Sequence, residues 1–242
     1  MPYIQKNNPI KVSLSWSGGK DSAFALWKLQ KDKRYEVVSL HTAFNEETRR
    51  VGLHGTPEYL IETQADAIGI PLEKIFFPSE ATNEAYENAM EEFYDKMISD
   101  GVHHVAYGDI FLEDLRKYRE DQLSKKSLQG VFPLWGRNTE RLIHDFLYNG
   151  FKTLICAADG EKIEEEWVGR TLDNNFLKNL PPSVDPCGEN GEYHSFCFAG
   201  PVFKKTILPK VTEVIPKSYT IKLENGKVEK RWVWFADLEM AD

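Results

Sequence analysis

The sequence contains no run approaching the roughly 18 consecutive apolar residues that a membrane-spanning helix needs, so no membrane association is expected. It has no excess of positive charge: 30 Lys and Arg stand against 38 Asp and Glu, a formal net charge of −8. Proteins that grip nucleic acid non-specifically usually carry the opposite balance, which sets that class aside and leaves only a local basic patch. Cysteine is scarce. Cys156, Cys187 and Cys197 are an odd number without a C-x-x-C pair, which argues against a disulfide scaffold and makes the cytoplasm the expected compartment. The six histidines show no H-E-x-x-H or zinc-finger spacing, although a structural zinc site gathered from distant residues stays open. The first nine residues have no apolar core, so a secretory signal is not expected there. Repeats and low-complexity tracts are also missing.

What remains is ordinary globular material: 242 residues, 41% hydrophobic and 28% charged, enough for one large domain or two small ones. The first two thirds alternate between two periodicities. Val12, Leu14 and Trp16 alternate with polar residues and predict a strand, followed by a helix over Lys20–Lys31. Further strands are expected at Val37–Phe44, Lys74–Phe77, Val102–Tyr107 and Thr153–Ala158. Helices are expected near Pro57–Ile68, Thr82–Ser99, Leu112–Lys125 and Thr139–Tyr148. Tyr86, Met90, Phe93 and Met97 form a core-facing stripe, with Thr82 as N-cap and Gly101 beyond the end. Such alternation predicts a Rossmann-like, mostly parallel sheet covered on both faces. After about residue 180 short β-like runs take over. Asn225-Gly226 predicts a two-residue hairpin turn that pairs Glu224 with Lys227, Leu223 with Val228, and Lys222 with Glu229. A boundary near residue 130 would divide a parallel α/β domain, 1–130, from a mixed α/β domain, 131–242.

The sharpest chemical signal is Ser17-Gly18-Gly19-Lys20-Asp21-Ser22, between the first strand and the first helix. Two glycines let a backbone approach a ligand closely, a helix N-terminus offers unpaired N–H groups, and its dipole favours negative charge. Lys20 adds a full positive charge, and Ser17 and Ser22 add hydroxyls. The spacing is not that of a Walker A loop. Blandly read, the hexapeptide is a Gly-Gly turn before a capped helix.

This hexapeptide resembles the pyrophosphate loop of the N-type ATP pyrophosphatases, in the adenine-nucleotide α-hydrolase-like (HUP) superfamily. Beyond it, His54-Gly55, Gly108-Asp109-Ile110, Glu113-Asp114-Leu115-Arg116, Pro133-Leu134-Trp135-Gly136 and Cys187-Gly188-Glu189-Asn190-Gly191-Glu192-Tyr193-His194 are similar to motifs of the diphthine–ammonia ligase family. The resemblance implies an AMP-forming amide ligase that adenylates a carboxylate with ATP and Mg²⁺, then amidates it with ammonia. It implies nucleotide contacts at Ser15, Ser17, Gly18, Gly19, Lys20, Asp21, Ser22, His54, Gly108 and Asp109, with Asp109 at a strand end where it could hold Mg²⁺ or a ribose hydroxyl, or simply cap the next helix. Substrate contacts are implied at Arg116, Trp135, Asn190, Gly191, Tyr193 and His194, and catalytic roles at Lys20, Asp21, Glu189 and Glu192. Trp135, Gly136 and the 187–195 loop are expected to face the ATP cleft. Asn190 stands where the family's loop has glycine. Asparagine tolerates left-handed backbone, so the turn is expected to survive while the substrate changes. The acceptor implied is diphthine on a translation elongation factor, or another carboxylate; a homodimer stays open. The rivals are a tRNA-thiolating relative, a nucleotide-binding regulator without turnover, and a structural protein that uses Gly-Gly as a turn.

Overall fold

The computed structural model describes residues 8–52, 54–78, 83–222 and 228–241. Five strands form the first sheet: β1 (Ile10–Ser15), β2 (Tyr35–Asn45), β3 (Leu72–Phe77), β4 (His104–Ala106) and β5 (Gln129–Val131). All pair in parallel, in the order β3-β2-β1-β4-β5. Helices α1 (Lys20–Lys31), α2 (Glu58–Ile68), α3 (Asn83–Ser99) and α4 (Glu113–Ser124) alternate with these strands. The order reverses direction at β1, so the connections leaving β1 and β4 diverge and open a crevice at the carboxyl edge of the sheet.

Each element follows from its residues. Val12 and Leu14 are completely buried in β1, as a central parallel strand requires. Helix α1 buries Ala23, Phe24, Ala25, Leu26, Trp27 and Leu29. A helix apolar on nearly every side belongs in an interior, and α1 lies between the two halves of the molecule. Phe24 stacks on Trp27 at 5.2 Å and meets Phe146 and Phe151 edge-on. Full burial of such a side chain contributes about 1.5–3 kcal/mol. Met90, Phe93 and Met97 are buried as the stripe on α3 predicts, with Tyr86 packed against them. Helix α2 ends at Gly69 in the left-handed conformation, and Asn138 caps α5 (Thr139–Tyr148) by accepting from the Arg141 N–H.

The second sheet has the order β7-β6-β9-β8, from β6 (Lys152–Asp159), β7 (Tyr193–Ala199), β8 (Pro209–Lys222) and β9 (Val228–Met240). A short helix α6 (Asn174–Asn179) precedes β7. Four departures from expectation appear here. The 153–158 strand follows a helix in sequence yet pairs antiparallel with β7 and β9, so it does not extend the parallel sheet. Strand β5 spans three residues, too few to show a period. Strands β8 and β9 run for 14 and 13 residues rather than as short runs. They pair Lys222 with Val228 and Ile221 with Glu229, one position away from the two-residue-turn register. Thr82 and the Asn225-Gly226 turn lie outside the described residues. One apolar cluster runs from β1 and α1 through β6 and β7, so the two sheets share a core. Among the described residues no helix is long and apolar enough to cross a membrane.

Candidate active site

The crevice is a cleft of about 610 Å³. One wall is the bend between β1 and α1. Gly18 has φ +81°, and a Cβ there would lie 2.6 Å from Ile61 and 2.7 Å from Gln64, so only glycine fits. Across the bend, a Cβ on Gly108 would come within 2.9 Å of the Asp21 backbone, which explains a glycine where β4 ends. Because α1 begins at Lys20, the N–H groups of its first turn have no carbonyl one turn back and face the anion-binding end of the dipole. Lys20 is 4% exposed, and its Nζ lies 2.7 Å from Asp21 Oδ2 and 5.2 Å from the centre of the Tyr193 ring. Burial, the largest single influence, opposes its charge, but Asp21, Cys187 and Glu189 together outweigh it and hold the ammonium pKa above the usual lysine value.

The opposite wall is the 187–195 segment, and its two glutamates do different work. Glu192 is 1% exposed. Its Oε1 accepts from the Asp185 N–H and from Asn190 Nδ2, and its Oε2 accepts from the Asn190 N–H. It holds the turn together and does not line the cleft, unlike the other residues expected to be catalytic, Lys20, Asp21 and Glu189. Glu189 does line the cleft, and it accepts from the Ile110 N–H at 2.7 Å. Burial, helped by the Asp21 charge, pushes its carboxyl up to about 7. It is therefore shared between acid and base near neutrality. A turn around Asn190 forms, with the Gly191 N–H donating to the Gly188 carbonyl at 3.0 Å, but the left-handed positions are Gly188 (φ +67°) and Gly191 (φ +82°), not Asn190.

Two imidazoles close the rear. His54 and His194 lie 4.6 Å apart, and His54 Nδ1–H donates to the Ser195 carbonyl at 3.4 Å. Burial lowers the His54 pKa to about 4, and burial with the His54 neighbour holds His194 well below its ordinary value. Both are neutral at pH 7. Asp109 sits beside the cleft but is ion-paired with Arg119, Oδ2 to Nε 2.8 Å. The buried carboxylate oxygen in this cleft with neither hydrogen bond nor ion pair is Asp21 Oδ1. No group of three or more His, Cys, Asp or Glu side chains among the described residues is arranged as a metal site. Asp21 thus keeps one unpartnered carboxylate oxygen, whereas both oxygens of Asp109 face Arg119.

Ser15, Ser17, Ser22, Asn190, Gly191 and Tyr193 line the same cleft, but Arg116 and Trp135 do not. The Arg116 guanidinium lies 4.6 Å from both the Phe132 and Trp135 rings and pairs with Glu120. Gly136 is exposed, and its N–H donates to the Ile110 carbonyl, which places this segment behind the site rather than in it. Nothing in the sequence singles out Arg119 or Gln64, and Ser195 was expected only as the end of the 187–195 loop. Arg119 shares a helix face with Arg116 but carries no mark to set it apart; Ser195 and Gln64 act through contacts distant in sequence.

These contacts occur in a chain whose residues 10–128 match the family model for the diphthamide synthase N-terminal domain, and whose residues 138–234 match that for its C-terminal domain. The diphthine–ammonia ligase of Homo sapiens is 27% identical over 230 residues, covering 85% of each chain. That of Bos taurus is 27% identical over 233 residues, covering 86% of each. Among solved structures, a U34-tRNA thiolase from Methanococcus maripaludis aligns over 61% of this chain and 59% of its own, at 19% identity and a TM-score of 0.36. With the two domain models matched in order along both halves, the chain belongs to the diphthine–ammonia ligase family.

Proposed function

We propose that this protein is an ATP-dependent ligase that adenylates a carboxylate and then amidates it with ammonia, releasing AMP and pyrophosphate. The observation that carries the reading is the polarity of a single cleft: a backbone-and-lysine bend faces a carboxylate whose pKa is near neutral. Carboxylates do not condense with ammonia in water at a useful rate, because oxide is a poor leaving group. In the first step an acceptor carboxylate oxygen bonds to the α-phosphorus and the bond to the β-phosphate oxygen breaks. The charge that develops on pyrophosphate is met by Lys20 and the N–H groups at the start of α1. In the second step the ammonia lone pair bonds to the acyl carbon and AMP departs. Glu189 takes the proton that the new amide must lose, and its pKa suits that exchange. Mg²⁺, when bound, would neutralise charge on the polyphosphate, and the unpartnered Asp21 Oδ1 would hold it.

Diphthine, the substrate in the relatives' name, is the acceptor class we propose, presented on a translation elongation factor in the cytoplasm. The thiolation rival needs an accessible thiolate. Cys156, Cys187 and Cys197 are all buried, and burial pushes each thiol up, that of Cys156 to about 12. Product analysis tests the reading. AMP and pyrophosphate formed only with acceptor and ammonia support it; ADP and phosphate contradict it.

A further inference from the structure

Gln64 lies within α2 at 0% exposure, and its amide makes three hydrogen bonds to two separate parts of the chain. Its Oε1 accepts from the Trp16 indole N–H at 2.9 Å, just past the end of β1. Its Nε2 donates to the Gly18 carbonyl at 2.9 Å and to the Cys197 carbonyl on β7 at 2.6 Å. Both Nε2 hydrogens are thereby used, in an interior where a lost partner is costly. The Gly18 carbonyl also accepts from the Cys197 N–H at 2.8 Å, and Ser195, two residues back on the same strand, accepts the Lys20 N–H on its Oγ at 3.0 Å. Strand β7 therefore lies along the bend, and Gln64 fastens the two.

This fastening has a direction. A trans peptide points its C=O and N–H opposite ways, and the chain has no cis peptide among its described residues. With the Gly18 carbonyl drawn inward by Gln64 and Cys197, the N–H of Gly19 must turn outward. It donates to the hydroxyl of Ser17, a cleft-lining residue, at 3.3 Å. We propose that Gln64 is a positioning residue for the pyrophosphate half of ATP. It never touches nucleotide; it fixes the Gly18–Gly19 peptide plane so that a backbone donor points at the β- and γ-phosphates. It also makes the anion site depend on a strand of the second sheet, so residues 8–131 do not hold a complete phosphate site on their own. The inference rests on the proposed function of the bend.

Binding of α,β-methylene-ATP and of AMP to the full chain, wild type and Gln64→Leu, tests it, with melting temperature as a check on the fold. AMP lacks the two phosphates that the bend would hold. The expected result is at least a tenfold loss of affinity for α,β-methylene-ATP in Gln64→Leu, with AMP affinity changed less than twofold. Parallel losses for both ligands would mean a general structural role and overturn the inference, as would no loss for either. Wild-type protein that binds the two ligands equally would overturn the function proposed for the bend itself. Should Gln64→Leu not fold, Gln64→Glu serves instead. Its side chain can donate only when protonated, so its ratio of analogue to AMP affinity, relative to wild type, should rise as pH falls; a pH-independent relative ratio would overturn the inference.

Discussion

The two walls of the cleft are built on opposite plans. The bend at residues 17–22 is made of backbone held from outside, by Gln64 on α2 and by Ser195 and Cys197 on β7. The 187–195 turn is held from inside, by the carboxylate of Glu192 and an Asp185 side chain that accepts from the Cys187 and Glu189 N–H groups. The first wall presents a cation and amide hydrogens, and the second presents the ionisable Glu189. Such a division suits a reaction in two parts, one of which expels an anion while the other removes a proton.

The comparison breaks most visibly at Lys20. Lys20→Ala is expected to lower ATP–pyrophosphate exchange by at least about 100-fold, with the far-UV circular dichroism unchanged. The stability loss should stay below about 3 kcal/mol, since Asp21 retains 29% side-chain exposure once unpaired. Unchanged exchange would mean that the bend is only a turn. Glu192→Ala strips the acceptor from three donors on the other wall and is expected to cost about 2–3 kcal/mol in urea unfolding. It should lower amide formation much more than pyrophosphate exchange; equal losses would show that the two walls are not separate.

Glu189→Gln sharpens the division with a pH signature. The wild-type amidation rate is expected to rise as pH passes through about 7, and the variant should lose most of that rise while retaining exchange. Stability carries the same sign. A carboxyl whose pKa is about 7 when folded and 4.5 when unfolded binds more protons in the folded state, so it costs stability progressively from about pH 4.5 to 7. Glutamine can still accept from the Ile110 N–H and has no such cost. Glu189→Gln should therefore melt higher than wild type at pH 8 but not at pH 4; a variant melting lower at pH 8 would contradict the pKa assignment. The smallest effect is expected at Arg116→Ala. Its ion pair with Glu120 is worth about 0.2–0.5 kcal/mol and its guanidinium lies outside the cleft, so AMP formation should stay within twofold.

Legibility in the sequence follows the same division. The Lys20–Lys31 and Thr139–Tyr148 helices appear with the bounds that periodicity predicts, because their apolar faces pack on neighbours in the ordinary way. The bend was readable because its chemistry is local, with glycines, lysine and helix start all within six residues. The 153–158 strand was recognisable as a strand, but its partners come from residues 193–199 and 233–235, and nothing local encodes antiparallel pairing. Glu189 and Glu192 look alike in sequence and are separated only by which donors surround them. The ion pair of Asp109 with Arg119, ten residues on, has no local sequence mark either. Gln64 reads as one more polar residue in a helix, and its importance comes entirely from contacts 46, 48 and 133 residues away.

The claim on which the rest depends is that the Gly18–Ser22 bend receives the pyrophosphate portion of ATP. A crystal of the full chain soaked with α,β-methylene-ATP tests it most directly. The account predicts β- and γ-phosphate density within hydrogen-bonding distance of the bend N–H groups and Lys20 Nζ, with the α-phosphate turned toward Glu189. Density for the triphosphate elsewhere in the cleft, with the bend empty at saturation, would contradict it.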